Sequence, residues 1–90
     1  MENKDICKGS LVMSDKGYDK NEIYVVKEII SGYAYLINGT NKHYNKPKKK
    51  NLKHLVKFSL ICELDDKNIK KTNQEIHKLI KAFKKAIKSL

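Results

Sequence analysis

The sequence predicts a mainly β fold: a small five-stranded barrel followed by a C-terminal amphipathic α-helix. Three observations lead there. The first sixty or so residues hold short runs rich in Ile, Val and Tyr, separated by turn residues. From Ile76 onward the hydrophobic period changes, and apolar residues recur three or four apart. Finally, 90 residues leave room for one core, since domains run to roughly 100–200 residues.

The elements follow in order. Residues Ser10–Ser14 form an apolar-rich first strand after Gly9. Ile23–Ile30 is the second, and Ser31-Gly32 turns the chain. Tyr33–Ile37 is the third. Alternation sets Tyr33, Tyr35 and Ile37 on one face and Ala34 and Leu36 on the other, with the two tyrosines expected in the core. Asn38-Gly39 is a strong hairpin signal, because both residues tolerate the positive φ of a type I′ turn. It predicts a fourth strand over about Lys42–Asn45, ended by Pro47, which cannot donate to a ladder. A fifth runs from His54 to about Ile61. Closing these strands into a barrel removes exposed sheet edges.

The barrel is thus assigned to residues 1–62, a polar link to 63–71, and a helix packed on the barrel to 72–90. Thr72-Asn73-Gln74-Glu75 fits the capping box that starts a helix. Ile76, Leu79, Ile80, Phe83, Ile87 and Leu90 form its apolar stripe, and Lys78, Lys81, Lys84, Lys85 and Lys88 take the opposite side.

Charge is the strongest functional signal. Lys+Arg number 20 against 10 acidic residues, a net charge of +10, and every basic residue is Lys. A surplus of that size on so small a domain points to a polyanionic partner, nucleic acid before an anionic membrane. It is also localised. Residues 1–41 hold five Lys and six acids, whereas residues 42–58 hold seven Lys and no acid. Within the second stretch, Lys42, His43, Lys46, Lys48, Lys49, Lys50, Lys53 and His54 crowd together, and Pro47 keeps the chain extended. Lysine is a point charge with little geometric demand, suited to phosphate contact more than to base reading. Tyr18, Tyr33, Tyr35 and Tyr44 are candidates for stacking on bases or ribose, although the core is the commoner place for strand tyrosines such as Tyr33 and Tyr35.

Other classes find little support. No apolar run approaches the ~20 residues of a membrane span. Met1–Asp5 lacks the apolar core of a signal peptide, so a cytoplasmic location without membrane contact is expected. Cys7 and Cys62 are far apart and show no C-x-x-C pattern, as expected of two reduced thiols. His43, His54 and His77 are isolated, and no metal-protease motif, phosphate-cradling Gly-rich loop or nucleophile elbow occurs. Neither an enzyme, a cofactor nor a metal is expected, and Asp65-Asp66 reads as a solvated turn.

Two segments carry a family resemblance. Gly9-Ser10-Leu11-Val12-Met13-Ser14-Asp15-Lys16-Gly17-Tyr18-Asp19-Lys20-Asn21 resembles the KOW motif of ribosomal proteins and transcription elongation factors. Lys46-Pro47-Lys48-Lys49-Lys50-Asn51-Leu52-Lys53-His54-Leu55 is similar to a segment of the small bacterial KOW-domain RNA-binding proteins, which are themselves similar to a eukaryotic and archaeal large-subunit ribosomal protein. The chain departs from the motif at Asn21, where glycine is usual, and near Tyr24. Asn is the non-Gly residue best suited to the left-handed conformation such a turn requires.

The resemblance implies an SH3-like barrel that binds structured RNA, in particular ribosomal RNA or the large ribosomal subunit. It implies a contact surface of Lys16, Gly17, Tyr18 and Lys20 together with Lys46, Lys48, Lys49, Lys50, Lys53 and His54. The expected function is therefore non-catalytic RNA binding. The alternative is an SH3-like protein-interaction module with a ribosomal or transcriptional partner, engaged for instance through the C-terminal helix.

Overall fold

One stretch of sequence organises the molecule. Ile23, Tyr24, Val25 and Val26 are consecutive and all buried, which a strand achieves only when both of its faces are covered. In the computed structural model, which describes residues 6–64 and 67–88, they begin strand β2 (Ile23–Ile30). The remaining elements are β1 (Ser10–Ser14), β3 (Tyr33–Ile37), β4 (Lys48–Asn51), a short 3₁₀ turn (Leu52–His54), β5 (Leu55–Ile61) and helix α1 (Ile69–Lys88). The five antiparallel strands, in the order β4-β3-β2-β1-β5, curl into a half-barrel, with the helix following. Bulges between Val26 and Glu28 and between Ser10 and Val12 add local twist and help the sheet to curl.

Strand alternation divides the apolar residues between two cores. Inside the curl, Val12, Tyr24, Val26, Ala34, Leu36 and Leu55 pack with Ile6. On the opposite face, Leu11, Ile23, Val25 and Ile37 pack against Ile76 and Ile80 of α1, with Tyr44 between. Phe58 and Phe83 meet at 4.6 Å across the same contact. The helix therefore covers part of the outer face of the sheet. Of the stripe predicted for it, Ile76 and Ile80 are buried while Ile87 is exposed.

The first three strands have the bounds predicted for them. Ser31 and Gly32, both at positive φ, form the tight β2–β3 turn. Asn21 sits at φ 75 and closes the β1–β2 loop in the left-handed region, the conformation its side chain best tolerates.

Four expectations are corrected. Tyr33 and Tyr35 are not core residues. Ala34 and Leu36 face the interior, Tyr33 is 38% exposed, Tyr35 is half-buried, and Ile37 is covered by the helix. The fourth strand is Lys48–Asn51 and not Lys42–Asn45, so Pro47 precedes the strand instead of ending it. Asn38 is responsible: its side-chain oxygen accepts from the Thr40 and Lys42 amides, at 3.0 Å each, and rolls the chain into a longer loop. His54 lies in the 3₁₀ turn ahead of β5, a turn capped by the Asn51 side chain.

The fourth correction concerns the helix, which begins at Ile69, not Thr72, and so shortens the 63–71 link. Asn68 caps it, accepting from the Lys71 amide at 3.1 Å, while Thr72 is buried inside the first turn. The extra turn brings Ile69 against the core. Expectations that fall on Met1–Asp5, Asp65-Asp66, Leu90 and the Lys88 side chain lie outside the described residues. Among the described residues no helix is long and apolar enough to cross a membrane.

Candidate nucleic-acid interface

The β1–β2 loop and β4 are separated by about thirty residues of sequence and meet in space through one acid. Asp19 is 9% exposed. Its Oδ1 lies 2.8 Å from Lys50 Nζ and accepts from the Ser14 hydroxyl at 2.9 Å. Its Oδ2 lies 3.0 Å from Lys48 Nζ and accepts from the Tyr24 hydroxyl at 3.0 Å. Lys50 also donates to the Lys16 carbonyl at 2.8 Å. A buried carboxylate is costly unless its lone pairs are filled, and here both oxygens are.

Strand register explains the arrangement. Lys48 pairs with Leu36 and Lys50 with Ala34, so both lysines lie on the inner side of β4. They line the interior face at an edge of the sheet, where the loop supplies their counter-charge. Burial acts to raise the Asp19 carboxyl pKa, but the bonds from Lys50, Lys48, Ser14 and Tyr24 outweigh it and hold the group well below the usual carboxylate range. Burial, followed by the hydrogen bond and charge of Asp19 and the charge of Glu22, pushes the Tyr24 phenol well above its ordinary value of 10.0.

The predicted contact residues thus fall into two sets. Lys16, Gly17, Tyr18 and Lys20 stand exposed on the β1–β2 loop, and His43, Lys46, Lys49 and Lys53 are exposed beside or within the Lys-rich segment. Lys42 and His54 are half-buried. Lys48 and Lys50 are turned inward onto Asp19, where Lys50 is only 11% exposed. Lys49, on the opposite side of β4, rests over the Tyr33 ring at 4.5 Å. Tyr44 is buried beneath the helix with Lys27 over its ring at 4.5 Å, which removes it from any stacking role. Tyr18, by contrast, is fully exposed.

The loop between β3 and β4 is fastened to α1. Gly39 has a φ of 79°, and a Cβ there would overlap the Asn73 carbonyl oxygen and stand 2.8 Å from the His77 amide nitrogen. The Asn73 side chain accepts from the Tyr44 amide at 3.0 Å. This contact carries Lys81 and Lys84 to the side of the β1–β2 loop, where Lys84 approaches Glu22 at 3.7 Å.

The sequence alone gives Asp19, Ser14 and Tyr24 no role, and leaves the lysine face of the helix, Lys81 and Lys84 included, evenly between RNA contact and solvated surface. Asp19 sits within a Lys-containing loop, and its lysine partners lie about thirty residues away in sequence. Cys7 and Cys62 are free thiols, the first exposed and the second half-buried. Burial, then Glu75 and Glu63, raise the Cys62 pKa. Among the described residues no group of three or more His, Cys, Asp or Glu side chains gathers to hold a metal ion. No protein-family model and no curated protein matches the chain.

Proposed function

We propose that the chain is a non-catalytic RNA-binding protein of SH3-like, KOW type, acting in the cytoplasm on ribosomal RNA of the large subunit. The observation that carries this reading is the convergence of the KOW-like loop and the Lys-rich segment around Asp19. Two stretches with separate resemblances to RNA-contacting segments are thus held side by side. Lys16, Lys20, Lys46, Lys49 and Lys53 contact phosphates, and each neutralised phosphate releases counterions that favour association. Lys48 and Lys50 act differently. By holding Asp19 they fix the loop against β4, so the exposed lysines are presented in a set geometry without an ordering cost at binding. Recognition is then of folded RNA by shape and backbone.

Crosslinking of the tagged protein in its native cells, followed by sequencing of the recovered RNA, tests the reading. It predicts a discrete site in large-subunit ribosomal RNA. A scattered profile over abundant RNAs, with one protein recovered in stoichiometric amount, would instead favour the interaction module.

A further inference from the structure

A groove of ≈ 530 Å³ opens between the β1–β2 loop and α1. Tyr18 contributes from the loop, Lys42 from the β3–β4 connection, Lys48 from β4, and His77, Lys81 and Lys84 from the helix. Two acids share it. Asp19 is already matched by Lys48 and Lys50, and Glu22 faces Lys84 across a half-exposed pair at 3.7 Å. Such exposed pairs hold their partners weakly, so an incoming phosphate can take Lys84 from Glu22. Lys42 adds positive charge from the β3–β4 connection and Lys81 from the helix beside Lys84. The volume falls within the roughly 300–1,000 Å³ of small-molecule sites, room for a nucleotide and not for a duplex.

We propose that this groove holds an unpaired nucleotide of the bound RNA, its base stacked on Tyr18 and the adjoining phosphates on Lys42, Lys81 and Lys84. The inference rests on the RNA-binding reading above and adds the class of RNA recognised. Tyr18 is the single fully exposed aromatic ring among the described residues, and every base offers a π face to such a ring. Phosphates contacted through lysine ask for charge and not for fixed geometry. An acidic peptide would satisfy the lysines but leave the exposed ring unexplained. The C-terminal helix becomes the second jaw of the site, opposite the loop, and the contact of Gly39 with the backbone at Asn73 and His77 fastens to it the β3–β4 connection that bears Lys42.

The test uses the full chain and two labelled RNAs of equal length, a hairpin with an unpaired loop and a fully paired duplex, read by fluorescence anisotropy. The hairpin should bind more tightly. Tyr18→Ala should lower hairpin affinity about tenfold, leave duplex affinity unchanged, and be rescued by Tyr18→Phe. Lys81→Gln with Lys84→Gln should flatten the log–log salt slope by about 1.4, from about 0.7 per phosphate of a single strand. The charge-matched pair Lys70→Gln with Lys78→Gln, on the same helix outside the groove, should leave it unchanged. Glu22→Gln should tighten binding roughly threefold by releasing Lys84. Equal affinity for hairpin and duplex with no effect of Tyr18→Ala, equal effects of the two lysine pairs, or displacement of the hairpin by polyglutamate as readily as by unlabelled RNA would overturn the groove assignment. In each of those cases RNA binding itself survives. Failure of the wild-type chain to bind either RNA would remove the reading on which it rests.

Discussion

Lys50 Nζ lies 2.8 Å from Asp19 Oδ1, and this pair joins an edge strand to a loop with which it shares no backbone ladder. Lys48 doubles the connection at 3.0 Å. In a half-barrel whose strands β4 and β5 are both edges, the contact fixes the relation between the two segments that bear the exposed lysines. The lysines of β4 therefore have different roles. Lys48 and Lys50 hold the fold together, and Lys49 between them faces outward.

The first prediction follows from that division. Lys50→Met removes one of two ammonium groups from a buried carboxylate and should destabilise the chain by about 2 kcal/mol, less than the cost of leaving a buried charge wholly unpaired. Lys49→Gln, on the opposite face, should change stability by no more than about 0.5 kcal/mol. Urea denaturation of both variants checks the contrast.

Acid should find the same contact. The folded-state pKa of Asp19 is depressed below its ordinary value of 3.8. Its contribution is therefore complete above that value and is lost as pH falls below about 4 toward the folded pKa. Tyr24 has the opposite sign. Its pKa is raised above 10.0, so its contribution is complete below about 10 and is lost as pH rises beyond it. Thermal melts across pH should show both declines, with the acid limb shallower in Asp19→Asn and the alkaline limb shallower in Tyr24→Phe.

Docking of the β3–β4 loop on the helix should hinge on Gly39. An added methyl group meets backbone at Asn73 and His77, which cannot swing aside, and φ 79 is itself unfavourable for an L side chain. Gly39→Ala should cost about 2 kcal/mol or more. Gly32, at φ 82 with open space around it, provides the comparison: Gly32→Ala should cost only the backbone penalty of about 1 kcal/mol. Calorimetric melting of both variants separates steric contact from conformation.

Asn21 offers a fourth check. It occupies φ 75 where the resembled motif has glycine. Asn21→Gly should leave stability within about 0.5 kcal/mol, and Asn21→Val should lose about 2 kcal/mol because a β-branched side chain resists that region. RNA affinity of the glycine variant should match the wild type.

Much of the fold was legible because local chemistry and tertiary structure agree. Ile23–Ile30 and Tyr33–Ile37 are β-rich runs divided by a turn pair at positive φ, and the helical stripe from Ile76 was unmistakable. The illegible parts depend on distant partners. Lys48–Asn51 has no strand-like composition and becomes a strand through its ladder to β3, with Asp19 receiving its two inward lysines. Strand tyrosines usually pack in the core, which points Tyr33 and Tyr35 inward, but both faces of β3 carry apolar residues and the curl of the sheet chooses Ala34 and Leu36. Asn68 and Thr72 are both competent caps, and the packing of Ile69 decides for the earlier one. Charge located the candidate surface, but not which of its lysines turn inward.

The most direct test of the central claim is the salt dependence of RNA affinity for two charge-matched variants. Lys46→Gln with Lys49→Gln alters exposed lysines of the proposed surface, and Lys70→Gln with Lys78→Gln alters exposed lysines of the helix away from it. Each phosphate contact contributes about −0.7 to −0.9 to the log–log slope. The account predicts a slope flatter by about 1.5 for the first variant and an unchanged slope for the second. Equal slopes in the wild type and both variants would contradict it, and would reduce the Lys-rich segment to a solvated surface.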